Sequence, residues 1–202
     1  MALNITKTLV NIIAKQTEKE LAANIWTDSI YNQLPKLQSN NVGIVGEQLI
    51  QTICENQLID SNIDGSKTKK KGGGKGGDGN IMSKSVEIKT AHLGSNKKTR
   101  SFQHELAENP WYSDYIIFVD IAPLCIYITI FKNFLESQYK QKIKCKPYFP
   151  TKKITQRKGN GNFKIDTSIA INDNCVKNGY SIKIIDTTTF ADVGDFIKKI
   201  IL

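Results

Sequence analysis

Cysteine and arginine are scarce in this sequence, and neither forms a clustered motif. The four cysteines lie far apart with no Cys-x-x-Cys pair, which argues against a zinc site and against a disulfide framework. The only arginines are Arg100 and Arg157, so lysine supplies nearly all of the positive charge. No apolar run is long enough to span a membrane, and the N-terminus lacks the unbroken apolar core of a signal peptide. We therefore expect a cytoplasmic protein with no membrane partner.

Positive charge is nevertheless in clear excess. The chain has 202 residues and a formal net charge of +9, with 40% hydrophobic and 23% charged residues. This composition is typical of a globular protein that buries a substantial core, and we expect a single domain over residues 1–202. The charge favours a polyanionic partner, and no motif indicates an organic cofactor.

One stretch, residues 77–90, concentrates charged side chains on β-prone backbone. Residues 86–90 alternate, so Glu87 and Lys89 share one face of a predicted strand. A turn near residues 82–85 would bring Asp78 opposite Glu87 or Lys89 on the neighbouring strand. Two carboxylates and an ammonium group would then converge. Mg²⁺ prefers carboxylate oxygens, and a lysine beside it can orient or help to deprotonate an attacking water.

This motif resembles the active site of the PD-(D/E)xK nuclease superfamily, and within it the small type II restriction endonucleases. The resemblance rests on Asp78, Glu87 and Lys89, with a helix that carries Glu47 upstream. The sequence departs from the family at Gly77, where the family has proline before the acid. The alternative interpretation of the same residues is a solvated, ion-paired hairpin face.

The resemblance implies an α/β (or α+β) fold with a mixed central β-sheet flanked by helices, and with the catalytic hairpin at one edge. It implies that Asp78 and Glu87 hold Mg²⁺, with the main-chain carbonyl of Ile88 as a further ligand. Lys89 would position and activate the water. In the family a helix glutamate ahead of the hairpin often reaches the metal, which assigns an assisting role to Glu47.

The sequence around Glu47 is consistent with that role. Residues 41–57 have helical apolar periodicity, and Ile44, Ile50 and Cys54 surround Glu47 on the helix. A carboxylate among apolar neighbours requires a charged or metal partner, or its pKa shifts. The alternative is a glutamate at the edge of the helix that makes a surface contact.

The domain divides into an N-terminal helical region (1–35), a catalytic core (41–130) and a basic DNA-contacting segment (147–163). Within the core, lysines and glycines interleave in what we call the Gly/Lys segment, residues 67–77. Such a run can be merely solvated, but it leads directly into Asp78. The predicted DNA-binding residues lie in this segment, in the loop after Lys89 and in segment 147–163: Lys70, Lys71, Lys75, Arg100, Gln103, His104, Lys152, Lys153, Arg157 and Lys158.

Several secondary-structure elements can be predicted around these segments. Residues 3–24 form an amphipathic helix that packs on the body or on a second subunit. Ser101 followed by glutamate is typical of a capped helix start over residues 101–106. Two apolar strands, 115–121 and 124–130, form an antiparallel hairpin that helices cover on both faces. The remaining predicted elements are a helix over 131–140, a strand over 180–185 and a helix over 188–201.

We therefore expect a Mg²⁺-dependent, sequence-specific endonuclease for double-stranded DNA, a type II restriction enzyme that leaves 5′-phosphate and 3′-hydroxyl ends. A palindromic site would require a two-fold homodimer. The alternatives are a structure-specific nuclease, such as a junction resolvase or repair nuclease, and a non-catalytic DNA-binding protein.

Overall fold

The structure is a computed structural model that describes residues 5–64, 77–95, 100–106, 113–132, 154–156 (backbone only) and 162–201. The helices of these residues are α1 Ile5–Ala23, α2 Ser39–Asn56, α3 Ile169–Lys177 and α4 Phe190–Ile201. The strands are β1 Ser61–Ile63, β2 Gly79–Ile81, β3 Lys84–His92, β4 Phe102–Leu106, β5 Tyr115–Ala122, β6 Cys125–Lys132, β7 Ile154–Gln156, β8 Phe163–Thr167 and β9 Ser181–Ile184.

A six-stranded sheet forms the centre of the fold, in the order β1-β2-β3-β5-β6-β9. Only β3 and β5 pair in parallel, and the other neighbours are antiparallel. The expected mixed sheet flanked by helices is thus confirmed. The hairpin β2–β3 lies near one side of the sheet, but β1 forms the edge itself. A second, three-stranded antiparallel sheet has the order β4-β8-β7.

Both faces of the central sheet are covered. Every residue of β5 is buried, as expected for a strand that is apolar on both sides. Residues Ile117, Val119 and Ile121 belong to a large core that includes apolar residues of α2 and α4. Ile116 and Phe118 point the other way, into a smaller core with residues of β4, β8 and α3. The second sheet and α3 therefore cover the face opposite α2.

The predicted helix over residues 101–106 is wrong, because β4 occupies this segment. Phe102, His104 and Leu106 are buried, while the two residues between them are exposed. This is the two-residue period of a strand, stabilised by pairing with β8. The predicted helix over 131–140 is wrong at its start, since Phe131 and Lys132 continue β6; its other residues lie outside the described part.

Other predicted elements are confirmed. The hairpin β5–β6, the helices α2 and α4 and the strand β9 lie within a few residues of the predicted bounds. Helix α1 is also present, but none of its residues is buried. Packing of α1 on the body is therefore not seen in the described part of the chain, and a second subunit stays a prediction. None of the described helices is both long and apolar enough to cross a bilayer.

Candidate metal-dependent active site

The hairpin β2–β3 brings Asp78 and Glu87 to the same place. Met82 and Ser83 form its two-residue turn, and both have positive φ, as a type I′ turn requires. The register pairs Gly79 with Val86, which sets the preceding Asp78 opposite Glu87. Both carboxylates are buried, with exposed fractions of 5% for Asp78 and 9% for Glu87.

Asp78, the residue before β2, accepts a hydrogen bond from the edge of β3. The pairing with β2 covers only Lys84–Val86, and beyond it the Ile88 N–H donates to Asp78 Oδ2 at 2.7 Å. The N–H and C=O of one strand residue point to the same edge. The Ile88 carbonyl therefore faces the same open edge as the Asp78 carboxylate, and Ile88 lines the cleft there.

Gly77 is required by this arrangement. A Cβ at Gly77 would lie 2.2 Å from the Val86 carbonyl oxygen, well inside van der Waals contact. The backbone approaches this closely because the Asp78 N–H donates to that same carbonyl at 2.8 Å. The glycine that stands where the resembled motif has proline thus has a steric reason in this chain.

Lys89 completes the cluster on the face of β3 away from α2. It donates to Glu87 Oε1, two residues back on the same face of the strand. The register partners of Glu87 and Lys89 on β5 are Ile116 and Phe118, which lie in the smaller core. The charged pair therefore lies beside apolar side chains, with the Lys89 side chain 27% exposed to the cleft.

Burial and neighbouring charges shift the pKa values of two residues in the cluster. Burial, and next the charge of Glu87, raise the pKa of Asp78 from its ordinary 3.8 to about 6, with Glu47 adding to the rise. Burial by itself lowers the pKa of Lys89, but the charge and hydrogen bond of Glu87, with Asp78 and Glu47, raise it overall. Lys89 is thus held in its charged form, and a further cation near Asp78 would be stabilised.

Helix α2 contributes Glu47 through an unusually close contact with β3. A Cβ at Gly46 would lie 1.9 Å from Thr90 Oγ1, so only glycine allows the helix this close to the strand. Glu47, the next residue, is half-buried and lines the same cleft as Asp78 and Lys89. Its charge acts on both of these residues.

Glu47, Asp78 and Lys89 line a cleft of about 1280 Å³. Other residues of helix α2 line it as well, together with Gln103 and Glu105 of β4 and Lys164 of β8. A smaller hollow of about 380 Å³ adjoins it and shares Thr90 and Gln103.

Two carboxylates fit a magnesium ion. Among the described residues, no three histidine, cysteine or acidic side chains are grouped closely enough to hold a metal by themselves. Mg²⁺ does not need such a group, because it is usually bound by one or two carboxylates and keeps several waters. Asp78, Glu87 and the Ile88 carbonyl could supply such ligands.

The predicted DNA-contacting residues fall into different environments. Arg100 and Gln103 are exposed, and Gln103 lines the cleft. His104 is only 2% exposed, and its Nε2 lies 2.7 Å from Asp120 Oδ1, so it has little surface for DNA. The other predicted DNA-binding residues lie outside the described part of the chain: Lys70, Lys71, Lys75, Lys152, Lys153, Arg157 and Lys158.

Sequence reasoning missed a buried polar network beside the cleft. Asn172 Nδ2 donates to Asp120 Oδ2 at 2.7 Å, while the other oxygen of Asp120 faces His104. Asp120 and Asn172 are fully buried. The only sequence signal was a single aspartate inside the apolar strand 115–121, since a buried charge requires partners.

Comparison of the chain with models of protein families, with curated proteins and with solved structures gave no match.

Proposed function

We propose that this protein is a Mg²⁺-dependent endonuclease that hydrolyses DNA phosphodiester bonds in the cytoplasm, with the active-site pattern of the PD-(D/E)xK superfamily. The observation that carries the proposal is the convergence of Asp78, Glu87 and Lys89 near the open edge of β3, where Asp78 and Lys89 line a cleft. A surface hairpin would leave both carboxylates solvated, whereas here they are buried. Burying two adjacent carboxylates is unfavourable unless a cation accompanies them.

Asp78 and Glu87 hold the metal in this proposal, and the Ile88 carbonyl is available as a further ligand. When bound, Mg²⁺ acts as a Lewis acid on the phosphodiester and offsets the charge that develops on it. Water adds its oxygen to phosphorus, the bond from phosphorus to O3′ breaks, and O3′ takes up a proton. The products are a 5′-phosphate and a 3′-hydroxyl.

Lys89 positions the attacking water and offsets negative charge on the phosphate. Its raised pKa favours this electrostatic role over removal of a proton from water. Glu47 lies on α2 and assists through its charge, which favours the charged form of the Lys89 ammonium group. Asp78 accepts a hydrogen bond from the Ile88 N–H, and this bond orients its carboxylate.

The biological activity that we propose is sequence-specific cleavage of double-stranded DNA, as in type II restriction enzymes. Cleavage of both strands of a palindrome requires two copies related by a two-fold axis, so we also propose a homodimer. The basic segments that flank the site in sequence, including Lys70, Lys71 and Lys75, supply contacts to the phosphate backbone.

Incubation with supercoiled plasmid and Mg²⁺ tests the proposal. Discrete linear fragments support a restriction enzyme, and cleavage only of branched DNA supports a junction resolvase instead. Binding without cleavage of any DNA refutes hydrolysis and leaves a DNA-binding protein. Glu87→Gln should abolish cutting, whereas Asp195→Asn, which neutralises one exposed carboxylate on α4, should not.

A further inference from the structure

The strands β4 and β8 are paired within the three-stranded sheet β4-β8-β7, and this pair, which we call the ribbon, has one face buried and one face turned outward. On β4 the residues Phe102, His104 and Leu106 are buried, and on β8 Phe163, Ile165 and Thr167 are buried. The residues between them point outward because side chains alternate along a strand. These outward residues are Gln103, Glu105, Lys164 and Asp166.

Pairing arranges the four side chains as a compact polar surface. Gln103 lies opposite Asp166, and Glu105 lies opposite Lys164. Lys164 Nζ is 3.6 Å from Asp166 Oδ1, and Asn162 Nδ2 donates to Glu105 Oε1 at 2.8 Å. The hydrogen bond from Asn162 orients the Glu105 carboxylate, and Asp166 is an ion-pair partner of Lys164.

This surface faces the candidate active site. Gln103, Glu105 and Lys164 line the same cleft as Asp78 and Lys89. A DNA strand whose phosphate lies at the acidic cluster would therefore pass along the ribbon.

The chemistry of the ribbon is unsuited to phosphate binding. It carries two carboxylates, one amide and one ammonium group, and carboxylates repel phosphate. The same groups are suited to base edges, since glutamate accepts from the amino group of cytosine, glutamine pairs with adenine, and lysine donates to guanine. We propose that Gln103, Glu105 and Lys164 read the sequence of the DNA bases, with Asp166 positioning Lys164. This inference rests on the proposed DNA substrate.

Selection from a random duplex library with Ca²⁺ in place of Mg²⁺ tests the inference without requiring cleavage. The proteins compared are the wild type, Glu105→Gln and Asp195→Asn, which removes the same charge from an exposed position on α4. Glu105→Gln should weaken the preference at one base pair of each half-site by about 5- to 150-fold and leave the other positions unchanged. Asp195→Asn should select the wild-type sequence.

An unchanged preference in Glu105→Gln, or an equal loss of affinity for all sequences, would overturn the inference. A wild type without any sequence preference would overturn it too, and cleavage of plasmid at random positions would then still support hydrolysis. A third outcome is that the wild type and Glu105→Gln select different sequences, but the wild type never cuts DNA with Mg²⁺. The assignment of base reading to the ribbon then stands, and the proposed hydrolysis fails.

Discussion

Replacing Asp78 by asparagine should stabilise the metal-free protein at neutral pH, although most substitutions of buried residues destabilise. The carboxylate is buried beside Glu87, and its pKa is raised from 3.8 to about 6. A difference of about two pKa units corresponds to about 3 kcal/mol between the two protonation states. Asparagine is neutral and nearly isosteric, and its Oδ1 can still accept from the Ile88 N–H. The weaker hydrogen bond reduces the expected net gain to about 1–3 kcal/mol.

The sign of the pH dependence follows from the raised pKa. Because Asp78 binds its proton more tightly in the folded state, its contribution to stability is fully present below its unfolded pKa and is lost as pH rises through about 6. Near about pH 4 the aspartic acid and asparagine should therefore be similar in stability. Near about pH 7.5 the wild type has lost this contribution and the variant has not.

Urea unfolding in EDTA at the two pH values measures the difference, with Asp195→Asn as the control for removing a carboxylate from an exposed position. Thermal unfolding should show a rise of about 3–10 °C for Asp78→Asn at the higher pH, since 1 kcal/mol corresponds to about 2–4 °C in a domain of this size. Addition of Mg²⁺ should stabilise the wild type more than the variant. A variant that is less stable than the wild type at the higher pH, or equally stabilised at both, would refute the reasoning.

Three further predictions concern the cleft and its surroundings. Lys89→Arg and Lys89→Ala should both bind DNA with Ca²⁺ but lose Mg²⁺-dependent cleavage by at least about 10²-fold in a plasmid assay; near-normal cutting by the arginine variant would remove Lys89 from the active site. Neutralising the lysines of the Gly/Lys segment should weaken binding to all DNA and lower the slope of log K against log salt by up to about 0.9 for each phosphate that the segment no longer neutralises, whereas an unchanged slope would mean that the segment is only solvated. Gly46→Ala should destabilise by about 1–3 kcal/mol and reduce cleavage, because α2 must move away from Thr90; unchanged thermal unfolding would contradict this.

Local patterns predicted those parts of the fold whose structure depends on neighbouring residues. The hairpin β5–β6 was evident because two apolar runs flank a short connection at Ala122 and Pro123. The strand β3 was predicted from the alternation of residues 86–90, and the hairpin followed if the chain turned near residues 82–85. Its turn at Met82 and Ser83 lacks the glycine that usually marks such turns.

The errors arose where a distant partner decides the structure. Ser101 with a following glutamate is typical of a helix start, but β4 pairs with β8, about sixty residues later in the chain. The same pairing explains why Glu105 and Lys164 were not linked to the site, since nothing local brings them together. His104 was expected at the DNA surface, but Asp120 on β5 binds its ring in the interior.

The position of Glu47 shows how the site depends on packing as well as on motif. Its apolar neighbours on the helix predicted an unusual environment, but only the close approach of Gly46 to Thr90 brings the helix near the cluster. A one-residue contact therefore links the stability of α2 to the charge around Lys89. Substitutions at Gly46 should accordingly affect catalysis and stability together, unlike those at Lys89.

The charge of the cleft is opposite in sign to the net charge of the chain. This difference concerns two tasks of the proposed nuclease, attracting DNA and cleaving it. The described residues that line the cleft include the acids Glu47, Asp64, Asp78 and Glu105, against only two lysines, although the whole chain has a net charge of +9. In the proposed nuclease, the negative charge of the cleft would repel a phosphodiester until a cation had offset it, while the excess of lysine elsewhere would attract the DNA backbone. Attraction to DNA would then not depend on Asp78, Glu87 and Lys89. For that reason the Lys89 and Gly/Lys variants should affect different measurements, the first the rate of cleavage and the second the dependence of binding on salt.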